Sequence, residues 1–131
     1  MLKLRRSIRV RENILLPNGK WLRVDLDVEA HRYELVRAQG DALKAAMALQ
    51  KAPTDVAVQQ AFQDAFIAFV KTVITPAGFD IALEAYEGKA DELCMQLDEW
   101  ITTIVMPKVE QASEEYAKKQ KRVKRKIGIG K

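Results

Sequence analysis

The sequence predicts a mainly α, α+β domain: an N-terminal antiparallel β-hairpin, a bundle of about four helices, and a basic C-terminal extension. Three observations lead there. Apolar residues alternate with polar ones as far as Leu26, then recur every three or four positions through Tyr116. Pro53, Pro76 and Gly88 fall between the helical blocks, where they end helices rather than interrupt them. Beyond Tyr116 the only aliphatic residues are Ala117, Val123, Ile127 and Ile129, so the core must come from the positions before them. The expected division is therefore 1–27 hairpin, 28–117 helical body and 118–131 basic tail, the last partly disordered. With 48% apolar residues in 131, the chain can build one core, and wholesale disorder is excluded.

Leu4, Arg6, Ile8 and Val10 share one face of the first strand, with Arg5, Ser7, Arg9 and Arg11 on the other. Leu22, Val24 and Leu26 repeat the pattern against Trp21, Arg23 and Asp25. Between the two runs lies Leu16-Pro17-Asn18-Gly19. There proline sets one turn angle, and Asn-Gly tolerates the positive φ that a reversal needs. A lone hairpin is marginal in water, so this one must dock on something or pair with another chain.

After Asp27, a candidate cap, the period becomes helical through Leu35, Ala38, Leu43, Ala46, Met47 and Leu49. Gly40 weakens the middle by about 1 kcal/mol relative to alanine, enough for a short break. Pro53 stops this helix, and Thr54 or Asp55 caps the next. Over 55–75, Phe62, Phe66, Phe69, Val70, Val73 and Ile74 define one broad apolar face. A short helix is expected over about 79–86, with Phe79, Leu83 and Tyr86, and with Gly88 as its C-terminal cap. The last helix begins near Lys89 and buries Leu93, Leu97, Trp100, Ile101, Ile104 and Val105. Pro107 is expected to bend or restart it before Val109, Ala112 and Tyr116.

Charge is sorted along the chain. Residues 1–24 hold seven Lys/Arg and one Glu, residues 25–117 hold seven basic and 17 acidic side chains, and residues 118–131 hold eight Lys/Arg and no acid. The net +4 thus hides an acidic body between basic ends. Such patterning governs association more than fold.

The chemistry of catalysis is thin. His31 is the only histidine, Cys94 the only cysteine, and no cluster of metal-ligand spacing exists. Cys94 among Leu93, Met95 and Leu97 reads as a packed thiol, and one cysteine excludes an internal disulfide. No glycine opens a phosphate-binding loop. The pairs Asp91/Glu92, Asp98/Glu99 and Glu114/Glu115 read as solvated helix faces. A non-enzymatic protein without cofactor or metal is expected. No run of about 18 apolar residues occurs and no apolar segment follows the basic start, which predicts a cytosolic protein without signal peptide or membrane contact.

The candidate contact residues are aromatic: Trp21, Phe79, Tyr86, Trp100 and Tyr116, since aromatics dominate interface energetics. Trp21 stands out because it lies on the polar face of the hairpin. Electrostatic contacts fall to Arg5, Arg9 and Arg11 on one strand face, and to Lys118, Lys119, Lys121, Arg122, Lys124, Arg125 and Lys126 in the tail. These basic groups suit either an acidic protein surface, including a second copy, or the phosphates of a nucleic acid. The tail has no aromatic to stack on bases.

The order of elements, the Ala85-Tyr86-Glu87-Gly88 corner and the Val105-Met106-Pro107-Lys108-Val109 step resemble the small tail assembly chaperones of long-tailed bacteriophages, particularly those of Gram-positive hosts. The likeness runs from about Leu22 to Lys126, while the Arg-rich first strand and the Ala-rich stretch Ala42–Ala48 depart from the pattern. The resemblance implies a binding protein that keeps the tape measure protein soluble and aids assembly of tail-tube protein around it. It also implies a homo-oligomer in the host cytoplasm, absent from the mature virion. The alternatives are a small nucleic-acid-associated protein using its basic ends, and a structural tail or head–tail joining protein.

Overall fold

The computed structural model describes residues 6–128, so the predicted contact Arg5 lies outside the described residues. The molecule is mainly helical behind an antiparallel two-stranded hairpin, as the periodicities predict. Strand β1 (Arg9–Leu15) pairs with β2 (Trp21–Asp27) in the register Val10↔Leu26, Glu12↔Val24 and Leu15↔Trp21. The turn closes through Gly19 N–H to Leu16 O at 3.0 Å, with Gly19 at φ 82°. Val10, Leu22, Val24 and Leu26 point into the core, which supplies the support a lone hairpin lacks.

Helix α1 (Arg32–Lys51) runs without a break at Gly40. The cost of one glycine is smaller than the contacts α1 makes along α2 (Val56–Ile74). Asp27 is not the helix cap: its carboxylate accepts from Ala30 N–H at 3.1 Å in the preceding turn, and His31 holds the N-cap position. On α1 only Leu35 and Ala42 are buried, whereas Leu43 and Met47 face outward beside Val36. Asp55 caps α2 by accepting from Ala57 and Val58 N–H at 2.9 and 3.3 Å.

At Thr75 the chain turns through 110° into α3 (Pro76–Ala85). Thr75 combines φ 70° and ψ 156° with a hydroxyl that accepts from Gly78 N–H at 3.1 Å. A Cβ on Gly78 would stand 3.5 Å from Leu22 Cδ1, so this helix start presses directly on the hairpin. α3 ends in a Schellman motif: Gly88 N–H bonds Leu83 O at 2.9 Å and Glu87 N–H bonds Glu84 O at 3.0 Å. The left-handed position next to the cap is taken by Glu87 at φ 54°, with Gly88 one residue further on.

Helix α4 (Ala90–Trp100), a π-helical turn (Ile101–Val105) and α5 (Met106–Lys126) follow without leaving helical backbone angles. Pro107 therefore neither breaks nor restarts the helix. It sits in the first turn after the π segment, where Met106 N–H reaches back to Ile101 O. The wider π turn rotates the chain more slowly, which keeps Leu97, Ile101, Val105 and Val109 on one buried face. Ile104, expected in that stripe, is exposed instead. Of the tail 118–131, expected to be partly disordered, Lys118–Lys126 continue α5 as helix and residues 129–131 lie outside the described residues.

The core joins the inner face of the hairpin to Leu35, Phe69, Val70, Val73, Phe79, Leu93, Ile101, Val105 and Val109. Each such burial stabilises by about 1.5–3 kcal/mol. Among the described residues no polar or charged residue is buried.

Candidate protein-binding groove

The apolar stripe of α2 is longer than the core it feeds. Phe69, Val70, Val73 and Ile74 are covered, but one and two turns earlier Phe66 and Phe62 emerge only half-buried. Their rings lie 5.9 Å apart at 39° and, with Ile67, floor a groove whose other wall is α4. Cys94 lines that wall, Met95 stands at its mouth, and the cavity measures about 470 Å³. That is within the range of pockets that hold a few apolar groups.

Met95 is 75% exposed at the mouth, the largest apolar exposure on α4. Asp91 and Asp98 stand one turn to either side of it, so the rim is acidic. Gln63 Nε2 donates to the Asp91 carboxylate and ties α2 to α4 across the groove. Burial first, and then the charge of Asp91, push the Cys94 thiol up to about 11. Cys94 is therefore a protonated thiol at neutral pH and lines the wall as an apolar group. No group of three or more His, Cys, Asp or Glu side chains that could hold a metal exists among the described residues. No helix among them is long and apolar enough to cross a membrane.

The sequence-derived contacts are scattered by the fold. Phe79, expected as a contact residue, is 4% exposed and belongs to the core, with Lys71 Nζ 5.0 Å from its ring, so it presents no surface to a partner. Tyr86 is half-buried where α3 ends, against the core. Trp100 packs half-buried on the core, its indole N–H without a hydrogen-bond partner among the described residues. Trp21 is 63% exposed on the outer face of the hairpin. Tyr116 is partly covered by the Arg32 guanidinium, 3.6 Å from its ring centre.

The basic strand face is not a free cationic surface. Arg9 Nη1 lies 3.1 Å from Asp25 and Arg9 Nη2 3.4 Å from Asp27, while Arg11 Nε lies 3.5 Å from Asp25. Partial burial raises the Asp25 carboxyl, but the Arg9 hydrogen bond and the charges of Arg11 and Arg9 outweigh it and hold the group below its ordinary value. In the tail, Lys118 pairs with Glu115 at 3.9 Å and Lys119 with Glu29 at 3.7 Å. Lys121, Arg122, Lys124, Arg125 and Lys126 form no ion pair among the described residues.

The groove residues Phe62, Phe66, Ile67 and Met95 were not legible as a site. Sequence shows that an apolar stripe exists, not where its cover ends. The one available signal was the length of the stripe on α2 beside the exposed-type pair Asp91 and Asp98. No protein-family model matches the chain, and neither a curated protein nor a solved structure is matched by it.

Proposed function

We propose that this protein is a non-enzymatic assembly chaperone that takes amphipathic helices of a long partner into the groove between α2 and α4. The observation that carries the reading is an apolar floor bounded by carboxylates: Phe62, Phe66 and Met95 between Asp91 and Asp98. Apolar anchors of a helix at i, i+3, i+4 and i+7 fill such a groove, and lysines or arginines on its flanks meet the rim. The tape measure protein of a phage tail is the proposed partner, a role supported by the Tyr86–Gly88 and Val105–Val109 motifs. Many copies along one long chain would bind by multivalency even where each contact is weak. Tail-tube protein would then assemble around the coated filament, in the host cytoplasm.

The test is capture of the tagged protein from cells producing the phage, at moderate salt, with the eluate identified by mass spectrometry. The tape measure protein should co-purify with the wild type and be lost from Met95→Lys, which places a cation in the mouth of the groove. Its retention by Met95→Lys overturns the groove as its site. An eluate holding nucleic acid alone favours the basic ends, and recovery of the protein in purified virions favours a structural tail component.

A further inference from the structure

The buried face of α5 continues past the body. Val105, Val109 and Ala112 are covered, and at the same helical spacing Tyr116, Val123 and Ile127 follow on that face. From Ala117 to Gly128 every residue is exposed, including Val123 at 50% and Ile127 at 61%. Lys119, Lys124 and Lys126 flank the stripe, and the remaining tail cations occupy the back of the helix. The result is a basic amphipathic helix whose apolar stripe is uncovered beyond Tyr116, its contact with the body there being the Lys119–Glu29 ion pair.

We propose that this C-terminal helix of one copy docks in the α2/α4 groove of a second copy. Charge selects the occupant. The groove offers Phe62, Phe66 and Met95 between two aspartates, and the tail offers Val123 and Ile127 between lysines. The exposed apolar face of α1, Val36, Leu43 and Met47, is flanked by Arg37, Lys44 and Lys51 and repels the tail. Docking within one molecule is prevented by contour. Between Met95 and Val123 the chain is helical throughout, about 42 Å at 1.5 Å per residue. A groove at one end and a tail at the other form a heterologous contact, which repeats from copy to copy instead of closing a symmetric pair.

The inference rests on the proposed function only in sharing its groove, and it adds a regulation. A neighbour's tail fills the groove until a partner helix displaces it. Storage of the free protein and coating of the partner would then be competing uses of one surface.

Complementation of two variants tests it by sedimentation and light scattering. Met95→Lys spoils the groove and Val123→Asp the tail, and both sites are exposed, so circular dichroism should be unchanged in each. Wild type should grow in mass with concentration, and each variant alone should remain a monomer at concentrations where wild type associates. A mixture of the two should stop at a 1:1 dimer, because only one groove and one tail remain competent. Association of either variant alone, or failure of the mixture to pair, overturns the proposal. Capture of the tape measure protein reads separately: its failure beside successful pairing removes the chaperone reading and leaves the tail–groove contact standing.

Discussion

Glu87 occupies a left-handed backbone position, φ 54°, that costs a residue with a Cβ about 1 kcal/mol and costs glycine almost nothing. The Schellman hydrogen bonds around it are made by backbone, so Glu87→Gly should keep the motif and relieve the strain. A gain of about 1 kcal/mol, or about 4 °C in thermal midpoint, is the expected result of calorimetry. Thr75 is held at φ 70° for a different reason. Its hydroxyl caps α3 while its backbone makes the 110° turn, so Thr75→Ala keeps the strain and loses the cap. Urea denaturation should show a loss of about 1 kcal/mol, within the usual range for cap removal. Asp25 ties the two strands, and its carboxyl is held below 3.8 by Arg9 and Arg11 after burial is offset. A depressed carboxylate contributes stability that is full above its unfolded value and fades as pH falls through the folded one. The advantage of wild type over Asp25→Asn should therefore be constant near neutrality, begin to fade only as pH falls to about 4, and disappear below the depressed folded value, in acid titrations followed by circular dichroism.

At the scale of elements, the π turn is the feature that periodicity alone misjudged. Leu97, Ile101, Val105 and Val109 are spaced four apart, a run that drifts around a regular helix and stays in line only where the helix widens. A π turn is one residue more than an α-helical turn would hold. Deleting exposed Thr103 should convert it to regular α-helix at a cost within about 1.5 kcal/mol by urea unfolding. Deleting Ala68 from α2 instead rotates Phe62 and Phe66 by about 100° relative to Phe69 and should cost about 3 kcal/mol or more. The hairpin and the order of the helical runs were legible because each apolar run has a single period, and because Pro53, Pro76 and Gly88 mark the breaks between helices. Ile104 was placed on the wrong face, and Gly40 given a break it lacks, because the π turn and the α1–α2 packing are not local properties. For the same reason Phe79 read as a contact residue although α3 presses it into the core, while Phe62 and Phe66 read as core although their cover ends before them.

Taken as one object, the molecule is a core with two overlong apolar stripes, one on α2 and one on α5, and the charge around them is opposite in sign. That arrangement makes a claim about where stability resides. Residues Ala117–Gly128 bury nothing, and their only ion pairs among the described residues are the surface contacts Lys118–Glu115 and Lys119–Glu29. Such pairs contribute about 0–1 kcal/mol. A helical end of that length without tertiary cover is marginal in water, and its crowded cations repel one another. Trypsin should therefore clip the tail of the dilute protein first and leave a resistant body ending near Glu115 to Lys119. The trimmed body should melt within about 1 °C of the intact monomer, because the core hydrogen bonds and apolar contacts all lie before Tyr116. At concentrations where copies associate, a docked tail is shielded by the neighbouring groove, and its cleavage should slow in wild type but not in Met95→Lys. A tail equally labile in both at every concentration would mean that the two complementary surfaces never meet.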